Sequence, residues 1–191
     1  MKLKDKIVIV TASTRGIGLA VTKACAKEGA VVYMAARNLE RAEREANRLN
    51  SEGGRVRCVY NDASVPESYA SMVEEVIQDA GRIDVLVNNA GVCNIDDGFL
   101  KVTENSYDEQ FTLNVKSPFF LTQAFVQYCV DHNVESAGIV FITSERGLYP
   151  DDAPYGMTKA AIGNIVAGIA RRFALKGIHC NAIAPGVTAD T

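Results

Sequence analysis

Ile7-Val8-Ile9-Val10-Thr11-Ala12-Ser13-Thr14-Arg15-Gly16-Ile17-Gly18 is the stretch on which the fold turns. Four consecutive branched apolar residues suit a strand buried on both faces, as in a parallel sheet. Small and polar residues follow as a turn, and beyond Gly18 the pattern changes to helical period. Gly16 lets backbone approach a phosphate, and Gly18 lets the helix pack closely on the strand. The helix start adds unpaired N–H groups and the positive end of its dipole, both suited to an anion. A strand, a glycine turn and a helix at the head of an alternating chain point to a nucleotide site.

Outward from this unit, apolar β-rich runs alternate with helical stretches. Strands are expected at 6–10, 30–35, 55–60, 84–88, 138–143 and 178–183. Helices are expected from the glycine turn to residue 28, then over 39–50, 66–80, 106–131 and 154–175, with Pro118 as an internal kink. Residues 92–103 read as a loop. Strands joined by crossovers of this length make an α/β fold, a doubly wound parallel sheet of Rossmann type. The 191 residues fit one domain.

Composition narrows the function classes. A formal net charge of -3 gives no basic patch for nucleic acid. The run after the basic Met1 to Lys6 is too short for a signal-peptide core or a membrane span. Five cysteines at irregular spacing, no CxxC pair and only two histidines argue for thiols in a reducing cytoplasm and against a structural metal.

The chemistry-bearing pair is Tyr155 and Lys159, four apart at the start of the last helix and so on one face. An ammonium about 4 Å from a phenol, at an effective dielectric near 20, favours the phenolate by roughly 4 kcal/mol. That is enough to lower a tyrosine pKa by about three and make it an acid/base near neutrality. None of the other six tyrosines has a lysine four residues on. The pair follows Ser144, at the carboxyl edge of the fifth strand, where ligands of this fold bind.

These motifs together resemble the short-chain dehydrogenase/reductase family, including its 3-oxoacyl-carrier-protein reductases and bacterial hydroxysteroid dehydrogenases. The first turn is similar to the family's TGxxxGIG loop, with Ala12 where a glycine usually stands. Alanine does not take a left-handed φ cheaply, so this turn is expected to differ or to stay right-handed. The resemblance implies cofactor contacts from Thr11, Ser13, Thr14, Arg15, Gly16, Ile17 and Gly18, and a further set from Asn89, Ala90 and Gly91 of an NNAG segment. It also implies contacts from Asp62 and Ala63 near adenine, and from Pro185, Gly186, Val187 and Thr188 near the nicotinamide. Catalytic roles fall on Asn114, Ser144, Tyr155 and Lys159. Tyr155 is the acid/base, Ser144 orients the carbonyl, Lys159 also holds the ribose, and Asn114 anchors a water-linked proton path.

About 20 residues past the glycines, an NAD site carries an acid for the ribose 2′-hydroxyl. Here Arg37 stands there, beside Asn38, and a guanidinium suits a 2′-phosphate. NADP(H) is favoured, with NAD(H) as the alternative. Ser144 and Tyr155 lie 11 positions apart. That is closer than in the family, so residues 145–154 should form a tighter loop, and Thr143 could share the serine's role. The family continues past the position of Thr191, so the C-terminal part of the domain is expected to be absent.

The expected reaction is hydride exchange with a small carbonyl or secondary alcohol. Asp96, Asp97, Glu145, Asp151 and Asp152 outnumber Lys101 and Arg146 at the pocket mouth, favouring a neutral ketone, sugar or steroid. A 3-oxoacyl-carrier-protein reductase is the alternative, and a non-catalytic sensor or scaffold the second. Apolar residues on two faces of the helices at 106–131 and 154–175 imply a homodimer or homotetramer.

Overall fold

The apolar run at the N-terminus forms a strand because neither of its faces meets water. In the computed structural model, which describes residues 1–94 and 98–187, β1 spans Ile7–Thr11 and is buried throughout. It lies at the centre of a parallel sheet with β2 Val31–Ala36, β3 Arg55–Tyr60, β4 Val85–Asn88, β5 Ala137–Ile142 and β6 Ile178–Ile183. The order is β3-β2-β1-β4-β5-β6. Ile9 pairs with Tyr33 on one side and Leu86 on the other, so the chain reverses its winding at β1. That reversal opens the crevice above the carboxyl ends of β1 and β4 where a ligand fits. The fold is the expected α/β doubly wound sheet.

Helices cover both faces. On one, α1 Gly16–Lys27 and α2 Leu39–Ser51 pack over Val8, Val10, Val32, Met34 and Val56. On the other, α3 Glu67–Ala80, α4 Glu104–Phe111, α5 Ser117–Asp131 and α6 Pro154–Phe173 close a core built on Ile9, Leu86, Phe125, Ile139 and Phe141. The face of β6 carrying His179, Asn181 and Ile183 is exposed. At the amino edge of the sheet, Asp84 accepts the Ile7 N–H at 2.8 Å and pairs with Lys6 and Arg82. Burial opposes its ionisation, but these donors outweigh that and hold its carboxyl below the usual range.

Element edges shift by a residue or two from the sequence reading, and one difference is more than an edge. The kink expected at Pro118 is instead a wide π-type turn over Thr112–Lys116, joining α4 to α5. Pro118 has no N–H for the Asn114 carbonyl four residues back, and its ring crowds that carbonyl. The helix therefore widens one turn before the proline, which itself sits harmlessly at the start of α5. The loop expected at 92–103 includes a short 3₁₀ turn at Phe99–Lys101 among its described residues. No helix among the described residues is long and apolar enough to cross a membrane.

Candidate active site

The turn after β1 is built by close approaches. A side-chain carbon on Gly18 would come within 2.5 Å of the Asn89 amide and 2.6 Å of the Ala12 carbonyl, so nothing larger fits. Ala12 itself has φ +50°. The expectation that this turn would avoid the left-handed region is therefore wrong. Its carbonyl is held by Asn89 Nδ2 at 3.2 Å and its N–H by the Ala35 carbonyl at 3.0 Å. These bonds impose a conformation that costs an L-residue about 1–2 kcal/mol.

Thr11 and Asn89 stitch this turn to the end of β4. The Thr11 hydroxyl accepts the Asn89 and Ala90 N–H groups, both at 2.9 Å, and Asn89 Nδ2 donates to the Thr11 carbonyl at 3.0 Å. Arg15 stands exposed at the N-cap of α1, whose first turn has no side-chain cap. The Ser13 hydroxyl is buried without a protein partner. Ile17 packs under the turn against the core, and Thr14 is half-buried. An uncapped helix start, a glycine cradle and an orphaned hydroxyl fit the pyrophosphate of a dinucleotide.

Farther along the carboxyl edge, Arg37 is exposed after β2 and its charge reaches Asp62 after β3. Asp62 accepts the Ser64 N–H and hydroxyl at 2.9 and 2.7 Å, and these bonds hold its carboxyl below the ordinary value. Asn38 caps α2 by accepting the Arg41 N–H, and the Ala63 carbonyl accepts the Tyr69 hydroxyl. Local structure thus already explains Asn38 and Ala63. Pro185, Gly186 and Val187 follow β6, where Glu145 N donates to the Pro185 carbonyl at 3.1 Å. Thr188 lies outside the described residues, as do Asp96 and Asp97.

At the centre, β5 ends beside the start of α6. The Ser144 hydroxyl lies beside the Tyr155 phenol, near enough to draw its ionisation down. Thr143 is buried and gives its hydroxyl to the Lys159 carbonyl at 3.1 Å, so it ties α6 to β5 and does not share the serine's position. Lys159 Nζ donates to the Ile142 carbonyl at 3.1 Å and lies 5.4 Å from the Tyr155 ring centroid.

The expected electrostatics are not seen here. Burial pushes the Tyr155 phenol up, against the opposing pull of Ser144 and Arg146. Burial brings Lys159 itself down to about 8. Removing both groups from water disfavours phenolate and ammonium alike.

Asn114 sits in the π-type turn, buried. Its amide accepts the Val92 N–H at 2.7 Å and donates to the Val92 carbonyl at 2.8 Å and Thr158 Oγ1 at 3.0 Å. It clamps the backbone just past Gly91 to α6. A side chain at Gly91 would press on Asn114 Oδ1 at 3.0 Å and approach Lys159 Nζ at 3.5 Å.

Sequence reasoning missed Thr158. It also counted Arg146 and Asp151 only as mouth charges, whereas they form a two-pronged ion pair at 2.7 and 2.8 Å. That pairing removes two charges from the acidic-mouth tally. A groove of about 520 Å³ lies elsewhere, between α3 and α5, lined by Tyr69, Phe120, Gln123 and Gln127. It holds none of the predicted site residues, so cavity size does not locate this chemistry.

The fold and this edge of the sheet define a dinucleotide-binding α/β protein with a tyrosine, a serine and a lysine at its crevice. Residues 6–191 match the short chain dehydrogenase family. The chain is 39% identical over 191 residues to a 7alpha-hydroxysteroid dehydrogenase of Clostridium sardiniense, spanning 97% of this chain and 72% of that protein. It is 30% identical over 187 residues to a 3beta-hydroxysteroid dehydrogenase of Mediterraneibacter gnavus, spanning 98% and 67%. A solved dehydrogenase/reductase from Sinorhizobium meliloti 1021 superposes with a TM-score of 0.90 at 28% identity, covering 99% of this chain and 75% of that one. The chain belongs to the short-chain dehydrogenase family, and it is an oxidoreductase that uses a nicotinamide nucleotide.

Proposed function

We propose that this protein is an NADP(H)-dependent dehydrogenase of a neutral secondary alcohol or ketone of hydroxysteroid type. The observation that carries the reading is the Tyr155 phenol set beside Ser144 and buried Lys159, on the same sheet edge as the uncapped glycine turn. When bound, the nicotinamide supplies or accepts the hydride. Ser144 and Tyr155 present two hydroxyl donors to one substrate oxygen. Burial keeps Tyr155 protonated at neutral pH, so it meets a carbonyl as an acid and gives up its proton as that oxygen gains charge. Lys159, titrating near pH 8, is suited to restore that proton, and its buried position keeps solvent from competing. Asn114 holds the Val92 backbone and Thr158 in place around them.

The steroid class draws support from the two relatives' names and from the mouth itself. Leu148 and Tyr149 on the turn after β5 are more than two-thirds exposed, and Val187 after β6 is fully exposed. Apolar side chains held in water beside a polar reaction centre suit a rigid apolar substrate. A 3-oxoacyl-carrier-protein reductase, whose partner is strongly acidic, remains the second reading, and a non-catalytic sensor the third. We also infer a homodimer or homotetramer, and a cytoplasmic site of action.

Titration with both nucleotides and a substrate panel test this reading together. NADPH should bind at least tenfold more tightly than NADH, a difference of about 1.4 kcal/mol, and Arg37→Asp should narrow that margin. Hydroxysteroids should turn over faster than polyols or a carrier-bound 3-oxoacyl chain. Equal nucleotide affinities would refute the NADP(H) assignment. Rapid reduction of the acyl chain with poor steroid rates would refute the substrate class.

A further inference from the structure

The loop between Ser144 and Tyr155 is short, and it is folded onto α6 by contacts that only glycines permit. Residues Glu145–Leu148 form a 3₁₀ turn that starts from Ser144, whose hydroxyl accepts the Arg146 N–H at 3.3 Å. At Gly147 a side-chain carbon would stand 2.6 Å from the Lys159 carbonyl carbon and 2.8 Å from the Ala160 nitrogen, so the turn lies flat on the α6 backbone. At Gly156 it would overlap the Asp151 carboxylate, which occupies the space left beside the helix. Asp151 is only 10% exposed at its side chain. It accepts the Ala153 N–H at 2.9 Å, just before α6, and takes Arg146 with both oxygens. Arg146, so held, carries its guanidinium carbon 5.7 Å from the Tyr155 ring centroid.

We propose that Arg146 is a positioning residue of the reaction centre: clasped by Asp151, it fixes the Tyr155 ring and keeps a permanent positive charge against it. The proposal rests on Tyr155 being the acid/base. A guanidinium gripped in two-pronged geometry cannot rotate away, and it stays charged at every pH the enzyme meets. A cation beside a tyrosine ring is attracted to its face and favours its ionised form. The other groups facing the phenol are Ser144 from the end of β5, Cys93 from the loop after β4, and Lys159 on the helix of Tyr155 itself. Among them Lys159 loses charge near pH 8, whereas Arg146 does not. Burial pushes the phenol up and Arg146 pulls it back, so the arginine limits how weak an acid Tyr155 becomes.

The test compares Arg146→Met, Arg146→Lys and Asp151→Asn with the parent chain. With methionine, kcat should fall at least tenfold while NADPH affinity stays within twofold. The acid limb of alcohol oxidation should also move up by at least half a pH unit, because ionising Tyr155 becomes harder. Lysine keeps the charge and should restore the limb to within about 0.2 pH units, with kcat only partly recovered because an ammonium cannot make the two-pronged grip. Asp151→Asn should lower kcat with a smaller displacement of the limb.

Tyrosinate absorbance, taken as the difference between each chain and the same chain carrying Tyr155→Phe, reads the ionisation of Tyr155 without turnover. It therefore tests this proposal even if another residue is the acid/base. An unmoved Tyr155 ionisation in the Arg146→Met variant overturns the proposal. So does a uniform loss of thermal stability and nucleotide affinity in all three variants with the limb unchanged.

Discussion

A lysine buried beside a buried phenol works against the fold that holds it. Lys159 titrates at about 8 in the folded chain, against 10.5 when free. Between those values the unfolded chain binds more protons, so stability rises with pH across that window and is flat below it. The ammonium therefore carries its full penalty at pH 7. Lys159→Met should raise stability there by about 1–3 kcal/mol, allowing for the Ile142 carbonyl it leaves without a donor. The variant should also flatten the rise between pH 8 and 10.5 and abolish turnover. Thermal unfolding at pH 7 and pH 10 measures this, and a variant no more stable than its parent at pH 7 would contradict it. The spacing of Tyr155 and Lys159 was legible in the sequence, since four residues on a helix share a face. Their electrostatics were not, because burial depends on what packs over them. Ala12 shows the same limit: propensity argued for a right-handed turn, and the bonds from Asn89 and to Ala35 imposed the left-handed one.

Among the elements, apolar runs located every strand of the sheet, with edges displaced by a residue at most. Thr11 reads as turn from its residue type, yet it pairs with Ala35 and closes β1. The short separation of Ser144 and Tyr155 predicts a tight loop, and Glu145–Leu148 form a 3₁₀ turn there. The Arg146–Asp151 clasp was hidden because it joins residues five apart across a turn, where neither strand nor helix period applies. Pro118 was visible as an interruption, but its effect falls a turn earlier, where the helix widens over Thr112–Lys116. The widened turn there places Asn114 against Val92 and Thr158. That placement needs the loop after β4 as well as the helix, so it could not be read from the helix alone.

In the molecule as a whole, alternation of strands and helices fixed a doubly wound sheet, and its reversal at β1 fixed the edge on which the site lies. The proposed assembly follows from what that packing leaves uncovered. Phe125 and Ile162 are spent in the core, and Ile165, Val166 and Ile169 pack partly against it. Phe119 and Phe120 on α5 remain 41% and 43% exposed, and Gly163, Ala167 and Gly168 leave the outer side of α6 smooth. Bulky apolar side chains left in water suit contact with a second copy of the chain. Sedimentation should give a dimer or larger at micromolar concentration, and a monomer there would refute the assembly. The central claim is that Tyr155 is the acid/base of a nicotinamide-dependent oxidoreductase. Its most direct test is turnover and NADPH binding measured together in Tyr155→Phe, which removes one hydroxyl and little else. The account predicts nucleotide affinity within twofold of the parent and turnover reduced at least a hundredfold, about 2.7 kcal/mol of transition-state stabilisation. Turnover within a few-fold of the parent would show that another group moves the proton, and would contradict it.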